Sequence, residues 1–117
     1  MIKIDPILVK VGPAECLAVL AEEATELAQA ALKLRRTMDS VKDRNPTNMT
    51  GNEAFCNLIE EIADVQNAWM VLLSPDLGRS IKDINATIER KYDRWAKRIG
   101  LELKEKHDED EDEEEEE

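Results

Sequence analysis

Three runs of apolar residues recur at alternating steps of three and four, and that spacing points to a helical bundle. Leu17, Leu20, Ala24, Leu27, Ala31, Leu34 and Met38 form the first run and predict a helix from about Pro13 to Met38. Phe55, Leu58, Ile62, Val65, Trp69 and Leu72 form the second, predicting a helix from about Asn52 to Leu73. Ile81, Ile84, Ile88, Tyr92, Trp95 and Ile99 form the third, from about Arg79 to Ile99, with Gly100 placed to end it. Each run is read as a core-facing seam. The breaks fall at Gly12-Pro13, at Asp39 to Gly51 with its Asn45-Pro46, at Pro75 to Gly78, and at Gly100. Near the start, Asp5-Pro6 before Ile7, Leu8 and Val9 fits a short helix capped by Asp5 with Pro6 in its first position; an extended arm is the alternative. No hairpin signal or alternating strand of useful length occurs elsewhere. The expectation is an all-α fold, a small bundle of three long helices plus a short N-terminal helix.

The 117 residues support one compact domain, expected over residues 1–104, with an acidic tail at 105–117. The net charge of −11 belongs to that tail: ten of the 27 acids are the unbroken run Asp108 to Glu117, which leaves 17 acids against 16 Lys and Arg. Residues 1–107 thus carry no excess of either sign, which argues against nucleic acid or an anionic membrane as partner. The tail, without an apolar residue from Asp108 onward, is expected to be disordered. No stretch resembles a secretory signal or a membrane span, so the expected location is cytoplasmic. Cys16 and Cys56 have no CxxC spacing and fall on apolar helix faces, where Cys acts as a small hydrophobe. The single histidine, His107, stands at the root of the tail, which removes His-based zinc sites and a Ser/His or Cys/His catalytic pair.

The informative residues lie one position to the side of the first two seams. In the first helix the stripe Cys16, Val19, Glu23, Glu26, Ala30 is small or apolar except for two carboxylates at i and i+3. The second helix repeats the pattern with Ala54, Asn57, Glu61, Asp64, Ala68 and Val71. Glu22 and Glu60 fall on the opposite, solvent side. Counted back from the intervening loop, the two acid pairs differ in height by only about one helical turn in an antiparallel hairpin, so Glu23, Glu26, Glu61 and Asp64 can converge. Four such acids beside apolar seams repel one another and lose hydration, which calls for cations or raised pKa values. Oxygen-only ligation is what Mg²⁺ or Mn²⁺ prefers, and such sites leave coordination positions for substrate phosphates.

Glu22-Glu23-Ala24-Thr25-Glu26 followed by Glu60-Glu61-Ile62-Ala63-Asp64 resembles the E-E-x-x-E and E-E-x-x-D pair of the all-α nucleoside triphosphate pyrophosphohydrolases, specifically the MazG-like branch. The flanks from Glu15 to Arg36 and from Leu58 to Leu73 look similar to that branch as well, and the resemblance covers about residues 13–99. It implies hydrolysis of an NTP or dNTP to the monophosphate and pyrophosphate, of the kind that cleans a nucleotide pool, with Mg²⁺ held by Glu23, Glu26, Glu61 and Asp64. The stripes alone single out the same four, and metal bound there neutralises phosphate charge and lowers the pKa of an attacking water. One of them, or Glu22 or Glu60 if the facing differs, is the candidate base.

Cations for the triphosphate are Lys33, Arg35 and Arg36 near the end of the first helix, and, by similarity to the basic last helix of the family, Lys91 and Arg94. Lys33 is best placed, since it continues the stripe of Glu23, Glu26 and Ala30. Asn67 is a candidate for a bond to a ribose or base, whereas Trp69 and Trp95 sit on seams and are expected in the core. Apolar residues on more than one stripe predict a homo-oligomer, a dimer or tetramer. Two alternatives stay open: a phosphoribosyl-ATP pyrophosphohydrolase, and a non-catalytic helical oligomer whose acids bind a structural cation or a basic protein partner.

Overall fold

A computed structural model describes residues 3–101, and these are all-helical with no strand among them. The order is α1 (Pro6–Val11), α2 (Pro13–Arg36), α3 (Gly51–Leu72), a 3-10 turn (Ser74–Asp76) and α4 (Leu77–Arg98). The three long helices end within two residues of the sequence boundaries. The expected acidic tail, residues 105–117, lies outside the described residues. No helix among them is long and apolar enough to cross a membrane. The chain divides into two compact units, Met1–Leu77 and Gly78–Glu117.

In the first unit the short helix forms as its sequence suggests. Pro6 opens α1 with φ already set for a helix, and the Asp5 carboxylate accepts the Ile7 N–H at 2.8 Å. One residue then separates α1 from α2. Gly12 has φ +90°, a backbone that a side chain would strain, and it closes one helix while opening the next: its N–H donates to Leu8 O at 2.9 Å, and its carbonyl accepts from Cys16 N–H at 3.0 Å. At the other end of α1, the Asp5 N–H donates to Ser74 Oγ at 2.9 Å, tying it to the turn after α3.

α3 starts on a capping box. The Glu53 N–H donates to Thr50 Oγ1 at 3.2 Å and the Thr50 N–H donates to the Glu53 carboxylate at 3.1 Å, so two helix-end donors are satisfied reciprocally. These bonds hold the Glu53 carboxyl below its ordinary value.

α2 and α3 pack as an antiparallel pair, and the layers of closest approach are small residues. Cys16 and Ala30 of α2 and Ala54 and Ala68 of α3 are buried, Ala54 completely. The buried positions are fourteen residues apart, 16 and 30 on one helix and 54 and 68 on the other, and the half-buried Glu23 and Glu61 at the midpoints complete a seven-residue step. This shifts the core by one position from the seams. Leu17 (54% exposed), Phe55 (51%) and Ile62 (46%) flank the contact line instead of filling it. The reason is steric: two backbones approach closest where side chains are smallest, so the large apolar residues are pushed to the shoulders of the pair.

The second unit carries α4, which ends in a Schellman motif. Gly100 sits at φ +83°, its N–H donates to Lys97 O at 3.1 Å, and the Leu101 N–H reaches Ala96 O at 2.8 Å. Trp95, expected in the core, is 59% exposed, and Ile88, Tyr92 and Ile99 are exposed with it. Trp69 on α3, by contrast, is half-buried.

Candidate metal centre

Glu23 and Glu61 occupy the central layer of the α2–α3 contact, where small residues on either side draw the helices together. Carboxylate oxygens of Glu23, Glu26 and Glu61 all lie within 4.8 Å of one another, a grouping that could hold a cation. Asp64, one turn along α3 from Glu61, stands outside that triad but close enough for its charge to act on both Glu23 and Glu61. The four acids selected from the stripes are thus brought to one locus by the antiparallel pairing. Glu22 and Glu60 are exposed.

The electrostatics match this crowding. Glu23 is pushed above the ordinary carboxyl value, first by lost hydration and then by the charges of Glu26, Asp64 and Glu61. Glu61 is raised in the same way, by lost hydration and then by Glu26 and Asp64. One oxygen of each, Oε2, is shut off from solvent and has no hydrogen-bond donor among the described residues. A walled-off carboxylate oxygen without a donor is costly, and a cation is the partner that satisfies several such oxygens together. The donor set is all oxygen, which suits Mg²⁺ or Mn²⁺.

An apolar cleft of about 210 Å³ opens from the same locus. α1 contributes Ile7 and Val11; α2 contributes Cys16, Val19 and Glu23; α3 contributes Asp64, Asn67, Ala68 and Val71. Two of the four acids therefore form one end of a cleft that is otherwise aliphatic, with Asn67 as its other polar side chain. The part played by α1 escaped the sequence reading, although Ile7 and Val11 at i and i+4 are its signal: two apolar residues on one face of a helix too short to have a core of its own.

The candidate phosphate ligands divide by position. Lys33 and Arg36 are half-buried on the last turns of α2, about 10 and 15 Å along the axis from Glu26 and on the side away from the cleft. Arg36 Nε is buried without a partner among the described residues. Lys91 and Arg94 are exposed on α4, in the second unit. Along α2 the order is therefore cleft, carboxylates, cations. Compared with known proteins, the chain matches no family model, no curated protein and no solved structure.

Proposed function

We propose that the chain is a MazG-like, Mg²⁺-dependent nucleoside triphosphate pyrophosphohydrolase that converts an NTP or dNTP to the monophosphate and pyrophosphate. The observation that carries this reading is the meeting of three carboxylates from two helices within 4.8 Å, with a donorless buried oxygen on Glu23 and on Glu61. Glu23, Glu26 and Glu61, with Asp64 beside them, hold the metal in this reading. Bound Mg²⁺ supplies charge neutralisation for the phosphates and a more acidic water.

The chain's own residues set the direction of the substrate. The apolar cleft lies toward the start of α2 and the cations Lys33 and Arg36 toward its end, so a ligand with an apolar end, a metal-binding middle and an anionic end fits that order. A nucleoside triphosphate has this layout.

The same proposal includes a homo-oligomer. Leu17, Phe55, Ile59 and Ile62 in the first unit, and Ile88, Trp95 and Ile99 in the second, are each about half exposed or more, and a second copy of the chain would cover them.

The test is to incubate the purified protein with a panel of NTPs and dNTPs, with Mg²⁺ and with EDTA, and to identify the products. Metal-dependent release of pyrophosphate plus monophosphate, lost in Glu61→Gln with the oligomer intact, is the expected result. If no nucleotide turns over at high enzyme concentration, and Glu61→Gln alters only assembly or folding, the chain is a non-catalytic helical oligomer.

A further inference from the structure

We propose that the aliphatic cleft is a nucleobase subsite and that Asn67 is its specificity-determining residue, reading the hydrogen-bonding edge of the base. The inference rests on the pyrophosphohydrolase reading for its choice of a nucleotide, but on separate residues for its content. Val11 of α1, Val19 of α2 and Val71 of α3 line the cleft from three helices, surfaces suited to the faces of a planar ring. About 210 Å³ is below the roughly 300 Å³ at which whole small-molecule sites begin, so the cleft takes a ring system and leaves the sugar and phosphates outside, toward Glu23 and Asp64.

Asn67 is the feature that separates a base from a purely apolar group. It lies one turn from Asp64 on α3, and its side-chain amide makes no hydrogen bond among the described residues. An amide presents a donor and an acceptor side by side, which is the complement of a base edge and of nothing in a hydrocarbon chain. No other amide or hydroxyl lines the cleft, so this side chain is the group that distinguishes one base edge from another. Glu23 and Asp64, the other polar groups lining the cleft, are occupied by the metal in the same reading and do not compete for that role.

The experiment is equilibrium binding in Mg²⁺ of three kinds of ligand to the full chain and to Asn67→Leu: a panel of nucleoside triphosphates, inorganic tripolyphosphate, and an isoprenyl diphosphate. Asn67 is exposed and Leu is the better helix former, so the variant keeps its fold, which circular dichroism checks. The wild type is expected to bind its preferred nucleotide more tightly than tripolyphosphate. Asn67→Leu should weaken that nucleotide by about tenfold, level the preferences among bases, and leave tripolyphosphate unchanged. Asn67→Asp, which only accepts hydrogen bonds, should shift preference toward bases with an exocyclic amino group. The proposal is overturned if Asn67→Leu leaves the base ranking intact, if it weakens tripolyphosphate equally, or if the isoprenyl diphosphate or tripolyphosphate binds the wild type at least as well as any nucleotide. Discrimination among bases that depends on Asn67, in a protein that hydrolyses none of them, would retain the subsite and remove the hydrolase reading.

Discussion

Ala30→Leu is the sharpest perturbation of the helix pair that builds the site. Ala30 is 1% exposed at a layer where α2 and α3 touch through small side chains, so the added isopropyl group has nowhere to go without forcing the helices apart. Overpacking of this kind costs about 1–3 kcal/mol. For a domain of this size each kcal/mol lowers Tm by about 4–8 °C, which predicts a fall of about 5–20 °C. The matched control is Ala28→Leu, two residues away on the same helix and exposed, where the same change alters only helix propensity. Ala30 is also about 6 Å along the axis from Glu26, so the forced separation reaches the carboxylates and should weaken divalent-cation binding in the variant alone. Thermal melts by far-UV circular dichroism, with EDTA and with Mg²⁺, read both effects. If Ala30→Leu melts within a few degrees of Ala28→Leu, small residues do not set the helix spacing and the account of the core given above is wrong.

Two further outcomes follow from the carboxylates and from the cap of α3. Because Glu23 and Glu61 are raised above their ordinary 4.5, the folded chain keeps protons that the unfolded chain releases, so stability is full below that value and is lost as pH rises through the raised ones. In EDTA the Tm advantage of Glu61→Gln over wild type should therefore grow from about pH 4 to pH 7, and Mg²⁺ should reverse it; an advantage that shrinks with pH contradicts the assigned direction. Thr50→Ala removes one half of the capping box and should cost about 1 kcal/mol in urea titrations near neutral pH, with the loss fading on acidification as Glu53, lowered in the native state, takes up its proton. An equal loss at both pH values would separate the cap from Glu53.

The helices and the four acids were legible because both are written as periodicity. Gly12, Asp5-Pro6 and Gly100 act where their backbone chemistry places them, and the i, i+3 acids of α2 and α3 meet because an antiparallel hairpin brings their heights together. The exact facing was harder. Hydrophobicity favours Leu17, Phe55 and Ile62 as core, yet the line of closest contact runs through Cys16, Ala30, Ala54 and Ala68, and packing distance is set by the smallest residue present rather than the most apolar. The capping box was readable as Thr50-x-x-Glu53, but the apolar period starts two residues later and drew the boundary to Asn52. The cleft was not legible at all, since it depends on where a six-residue helix is fastened, which no periodicity records.

That fastening turns α1 into a strut. It is joined to the first turn of α2 through the single residue Gly12 and to the turn after α3 through Ser74, and six helical residues measure about 9 Å, the usual distance between the axes of two packed helices. The gap between α2 and α3 at this end of the unit is therefore held by a gauge of fixed length. Ile7 and Val11 of the strut and Glu23 and Asp64 of the long helices then belong to one frame, so the apolar lining of the cleft and its two carboxylates are set by the same pair of attachments.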